Sequence, residues 1–122
     1  MLVIRDQQRA AMAPMTDGAF VERLARFLRE HRASDVARLD DAALRAEMIA
    51  RVARGRGHAL VTERALACFV AWSFAHGSCF DEHPVIRAIL DDAGSPEAVR
   101  LERVARSVTR REWDQARAAS RR

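Results

Sequence analysis

The sequence predicts an all-α fold, a single compact helical bundle of about five helices around a central buried helix, and three observations carry that expectation. From Ala65 to Ala75 every residue except Ser73 is apolar or small. A helix over that stretch is hydrophobic on every side and has to be enclosed by other elements. The chain holds 24 Ala and 21 Arg but no Tyr, no Asn and only three Thr. Ala and Arg stand at the favourable end of helix propensity, and β-branched residues are too sparse to build a sheet. The flanking segments repeat apolar residues at helical spacing on one side only, as covering helices do. At 122 residues, 1–122 reads as one helical domain, long enough to enclose a real core.

The elements follow in order. Residues 1–15 read as an N-terminal arm or short helix with Leu2, Val3 and Ile4 as its apolar end, stopped by Pro14. Thr16 or Asp17 caps a helix to about His31, with Phe20, Leu24, Phe27, Leu28 and His31 on its core side and Arg23, Arg26, Arg29 and Arg32 away from it. Ser34–Asp40 is a connector of about one helical turn. Asp40 or Asp41 caps the next helix, where Leu44, Met48 and Val52 recur at i, i+4 and i+8 with Ile49 beside them. Gly55 and Gly57 end it, Gly57 taking the left-handed terminal conformation.

Thr62 caps the central helix, Glu63 sits favourably in its first turn, and Gly77 closes it. Ser78–Glu82 is a loop. Pro84 suits the first position of a short helix that buries Val85, Ile86, Ile89 and Leu90 and ends near Gly94. Ser95-Pro96-Glu97 starts an Arg-rich C-terminal helix over about 96–118. Leu101, Val104, Ala105 and Val108 form its core face, and it has little to bury beyond Trp113.

Composition narrows the function classes. The net charge is +4, and the segment from Glu97 onward, with eight Arg against four acids, accounts for all of it. No Lys is present, and Arg favours bidentate contact with carboxylate or phosphate. A basic terminal helix points to an acidic protein, nucleic acid or membrane surface, or to a solvated outer face. The opening MLVIRDQQ lacks the apolar run of a signal peptide, and Ala65–Ala75 is about half of the roughly 20 residues a bilayer span needs. Cys68 and Cys79 read as free thiols. A cytoplasmic protein with no membrane span is expected.

On the last helix, Arg103, Arg106, Arg110, Arg117 and Arg121 fall in one sector opposite Leu101, Val104, Ala105 and Val108, at about 100° per residue. Such a stripe can track phosphates, but Asp114 shares the side of Arg110 and Arg117, and no aromatic set offers a stacking platform. An acidic protein partner or plain solvation fits it better, so nucleic acid is an unlikely partner. Trp113, between the apolar and Arg sides and flanked by Arg110 and Arg111, has the composition of an interface anchor or of a helix end folded onto its own core. Arg103, Arg106, Arg110, Trp113 and Arg117 are therefore the candidate partner-binding residues.

His76-x-x-Cys79-x-x-x-His83 brings three potential ligands together, with Asp81, Glu82 and Cys68 nearby. Zinc needs about four in tetrahedral array, commonly as two pairs, and no second pair exists. A capping or structural role is the simpler reading, and no metal and no cofactor are expected. Cys79 with His76 or His83 lacks an orienting group or an oxyanion hole, so no catalytic residues are nominated. The pairs Asp40-Asp41, Asp81-Glu82 and Asp91-Asp92 flank helix ends and read as caps. The GRG at 55–57 lacks the strand and the GK[ST] ending of a phosphate loop. Phe69, Trp72 and Phe74 read as core.

In order, these elements resemble a family of short helical bacterial proteins encoded beside type VI secretion effector and adaptor genes. The shared residues are Ile4-Arg5-x-x-Gln8, then Phe20, Leu24 and Leu28, then Thr62-Glu63, and a closing Phe74-x-x-Gly77-x-x-Phe80-Asp81. The resemblance spans Ile4 to about Leu101, and the Arg-rich end after Arg103 extends beyond it. It implies a cytosolic, non-enzymatic accessory protein that works through contacts with other proteins: an adaptor or chaperone for a secreted effector. An immunity protein neutralising a toxin, or a small nucleic-acid-binding protein using the Arg stripe, is the alternative.

Overall fold

Residues 18–121 are described by the computed structural model. The expected arm at 1–15 and the Thr16 or Asp17 cap lie outside the described residues. Those described form seven α-helices and one 3-10 turn, without strands. The fold class is all-α, and the expected five helices become seven because the connector before α3 holds a short helix and the last helix is broken.

The first helix, α1 (18–31), buries Phe20, Val21, Leu24 and Leu28. Phe27 and His31, expected on the core side, are exposed instead and pack ring against ring at 4.8 Å. Val21 moves the buried arc away from them. Arg29 reaches back to cap the next turn, donating to the carbonyls of Val36 (2.9 Å) and Leu39 (2.6 Å). The Ala33–Val36 turn, α2, buries Val36 completely.

Asp40 caps α3 (Asp41–Gly57), its carboxylate accepting from the Ala43 N–H at 2.7 Å. Leu44, Met48 and Val52 are buried as the spacing predicts, but Ile49 is 60% exposed. One residue past Met48, it is turned about 100° out of the seam. Gly55 does not end the helix. It lies inside the last turns, and a Cβ there would stand 3.0 Å from Leu66 Cδ2 and 3.2 Å from Phe69 Cδ1. Hydrogen at this position lets α3 approach the central helix. The left-handed backbone falls on Ala59 (φ 60°) and not on Gly57, which is still helical.

The central helix, α4 (Glu63–His76), begins as predicted. Thr62 Oγ1 accepts from the Ala65 N–H at 3.1 Å, and Glu63 adds a favourable first-turn charge paired with Arg23. It contacts α2, α3, the 3-10 turn and the two C-terminal helices, and no residue from 65 to 77 is exposed. Gly77 (φ 115°) closes it. A Cβ there would come within 2.7 Å of Ser120 Cβ, so the glycine also admits the final helix.

The expected loop at 78–82 contains a 3-10 turn, Phe80–Glu82, that drives Phe80 fully into the core. Phe69 is fully buried too, whereas Trp72 and Phe74 are half-buried at the edge of that core. Helix α5 (Pro84–Leu90) has Pro84 in its first turn and buries Ile86 and Leu90; Val85 faces outward, and the helix ends before the expected Gly94.

The largest departure is at the C-terminus. In place of one helix over 96–118 there are two, α6 (Glu97–Ser107) and α7 (Arg110–Ser120). Val108 and Thr109 are extended between them, and Thr109 begins α7 with a full capping box: its hydroxyl accepts from the Glu112 N–H (3.2 Å) while Glu112 accepts from the Thr109 N–H (2.8 Å). The reversal lays α7 on the 3-10 turn and α4, and it stays ordered past Trp113 because Ala116 and Ser120 find neighbours there. Pro96 is the cap of α6 and not its first helical residue, and Ala105, assigned to the core face, is exposed.

Candidate functional site

Where α4 and α6 meet, an open groove of about 640 Å³ runs along the surface. Its floor is apolar. Ala65, Cys68 and Trp72 come from α4, and Ala98, Leu101 and Ala105 from α6, the same i, i+3, i+7 spacing on each helix. Four of these six side chains are small, which is why two packed helices leave a hollow. Burial pushes the Cys68 thiol up, so at neutral pH it stays an uncharged part of the floor. Trp72 presents one side to the groove; the other contacts Phe80 (6.4 Å) and Trp113 (5.8 Å).

Charges stand only at the edges. Arg64 lines the groove from α4, and Glu102 and Glu97 line it from α6. Glu97 also closes one end structurally, accepting from the backbone N–H groups of Val61 (2.7 Å) and Thr62 (3.3 Å). Burial works against its ionisation, but those donors together hold its carboxyl below the usual range.

The predicted Arg set does not form one stripe. Arg103 and Arg106 project from α6, Arg110 and Arg117 from α7, and the Val108–Thr109 break removes the common sector. Arg103 pairs with Asp92 at 3.0 Å and Arg106 with Glu102 at 2.8 Å. Arg117 donates to the Ala75 carbonyl near the end of α4, a use of cationic charge that a helix C-terminus favours. Arg110 is exposed. Trp113 is half-buried and stacks on His76 at 4.0 Å, packed against the edge of the core.

The His76, Cys79, His83 group is likewise dispersed. His76 lies against Trp113, and burial, then Arg117 and Arg32, push its imidazole down. The Cys79 backbone N–H donates to Ser120 Oγ at 3.0 Å, and His83 caps α5 through the Val85 N–H and meets Gln115 at 2.9 Å. Among the described residues no group of three His, Cys, Asp or Glu is placed to hold a metal ion.

Two polar clusters escape sequence reasoning. Asp81, 3% exposed, accepts from Arg54 Nε (2.8 and 2.7 Å to its two oxygens) and from His58 Nε2 (2.8 Å). The other His58 nitrogen donates to Asp91 at 2.6 Å. The Asp81 contact, opposed by burial and helped by Asp91, raises the His58 imidazole above its ordinary value. Burial alone would raise Asp81, but its bonds with His58 and Arg54 outweigh it and hold the carboxyl low. With a carboxylate on each nitrogen the protonated ring is favoured, and in that form it has no free lone pair for proton abstraction. The cluster ties α3, the 3-10 turn and α5 together.

Arg100, 5% exposed, has a similar role without a carboxylate. It donates to the carbonyls of Ser95 (3.0 Å), Leu90 (2.6 Å), His58 (2.7 Å) and Ala59 (3.2 Å). One planar guanidinium thus satisfies carbonyls left over at the ends of α3 and α5. Neither cluster has a sequence signal, since each depends on partners more than 20 positions away, His58 and Ala59 for Arg100 and Arg54 and His58 for Asp81.

Compared with family models, with curated proteins and with solved structures, the chain matches none. No helix among the described residues is long and apolar enough to cross a membrane.

Proposed function

We propose that this chain is a non-enzymatic protein-interaction module of the cytoplasm, an accessory adaptor or chaperone for a type VI secretion effector, and that the α4–α6 groove is its docking surface. The groove is the observation that carries this reading: an apolar floor with charge confined to its edges is how helix-recognising proteins receive a partner. The type VI assignment rests on the sequence resemblance alone. Of the other candidate residues, Arg117 serves the end of α4 and Trp113 stacks on His76, while Arg110 stays exposed.

The test is co-expression with the products of neighbouring secretion genes, followed by co-purification. A stable complex with an effector or adaptor is expected, and it should be lost on Ala105→Trp, which fills the groove from an exposed position. Rescue of cells from a toxin, with no such complex, would replace the adaptor role by immunity. Retention on nucleic acid that disappears in a triple Arg103, Arg106, Arg110→Glu variant would overturn the protein-partner reading.

A further inference from the structure

The two walls of the groove differ in sign, Arg64 on α4 against Glu97 and Glu102 on α6. Resting on the docking surface proposed above, we infer that the groove takes an amphipathic helix of the partner with acidic residues along one flank of its apolar stripe and basic residues along the other. The floor fixes the helical form. Ala65, Cys68 and Trp72 face Ala98, Leu101 and Ala105 at matching i, i+3, i+7 positions, so a third helix with apolar residues at the same spacing completes a three-helix layer. An extended strand would find no free sheet edge, since no strand exists among the described residues.

The walls then select among amphipathic helices. Arg64 is exposed and forms no ion pair among the described residues, so none of their carboxylates competes with an incoming one. Glu102 is exposed and, among the described residues, pairs with Arg106 on the same helix one turn away. A flank of acids on the α4 side and of bases on the α6 side matches both walls. A helix with one sign on both flanks matches one wall and is repelled by the other. Reversing a mixed helix end for end exchanges its flanks, so this pair of walls also sets the direction in which the helix lies.

Three synthetic 18-residue helical peptides with one Leu stripe test this: Glu on one flank and Lys on the other, Glu on both, and Lys on both. Their affinities for the full chain are read by fluorescence anisotropy at low salt. The mixed peptide should bind about fivefold or more tighter than either single-sign peptide, the order expected of several exposed pairs. Arg64→Glu should make the all-Lys peptide the tightest, and Glu102→Arg should bring the all-Glu peptide up to the mixed one; both positions are exposed, and unchanged helical circular dichroism verifies folding.

Equal affinity of the three peptides, with binding still lost on Ala105→Trp, would overturn the charge rule while leaving the groove as a docking surface. Binding that survives Ala105→Trp, or no binding at all, would overturn the inference, and the co-purification above then judges the interaction reading separately. Displacement of the mixed peptide by a peptide of residues 1–17, or a dimer in sedimentation that Ala105→Trp dissociates, would give the groove to this chain itself and overturn it too.

Discussion

His58 is where single-residue chemistry has the widest reach. Its two ring nitrogens meet Asp81 and Asp91, so it holds three elements at once as a cation. Its native pKa lies above the ordinary value of 6.5, so the stabilisation is complete below that value and is lost as pH rises through the raised one. Asp81 is held below 3.8, so its share is present above that value and is lost as pH falls. The cluster therefore stabilises most between about pH 4 and 6.5. His58→Gln is expected to cost about 2 kcal/mol at pH 6, the scale of hydrogen bonds to charged groups, and less at pH 9. Denaturant melts of both proteins at the two pH values check this; a gap of constant size would show that the imidazolium contributes nothing. Arg100 illustrates the complementary case: one guanidinium serves four carbonyls with no carboxylate partner.

For the elements, caps decide where helices begin, and most are local enough to read directly. Asp40, Thr62 and the His83-Pro84 start stand where the sequence places them. Thr109-x-x-Glu112 is an equally local signal, and it outweighs the amphipathic pattern that runs through it. Thr109→Ala should destabilise the protein by about 1 kcal/mol and loosen α7 first. Hydrogen exchange resolves this: amides from 110 to 120 should speed up more than those of α4. Uniform acceleration would mean that α7 and the core open as one unit. The same break explains why the predicted Arg sector dissolves. A helical wheel is valid only while the helix continues, and two extended residues reset it.

On the scale of the whole molecule, the aromatic cluster separates core from surface. Phe69 and Phe80 are fully enclosed at 5.0 Å from each other, whereas Trp72 is shared between that cluster and the groove. Phe80→Ala should cost about 3–5 kcal/mol, as truncating an enclosed aromatic does. Trp72→Ala should cost clearly less, although by sequence the tryptophan sits in the middle of the most apolar helix. Chemical denaturation of the two variants side by side settles the order, and a larger loss at Trp72 would show the groove to be closed core.

The sequence by itself determined the helical class, the position of the central helix, most helix caps and the main buried residues of α3 and α5, Leu44, Met48, Val52, Ile86 and Leu90. Those follow from composition, periodicity and capping over a few residues, which act the same way wherever the segment sits. Tertiary structure alone decided the groove, the role of Gly55, the Asp81 and Arg100 clusters and the turning-in of Trp113. Each of those depends on which distant segment arrives opposite. In an all-apolar helix such as α4 no periodicity marks the side left uncovered, so the groove exists only once α6 is packed beside it.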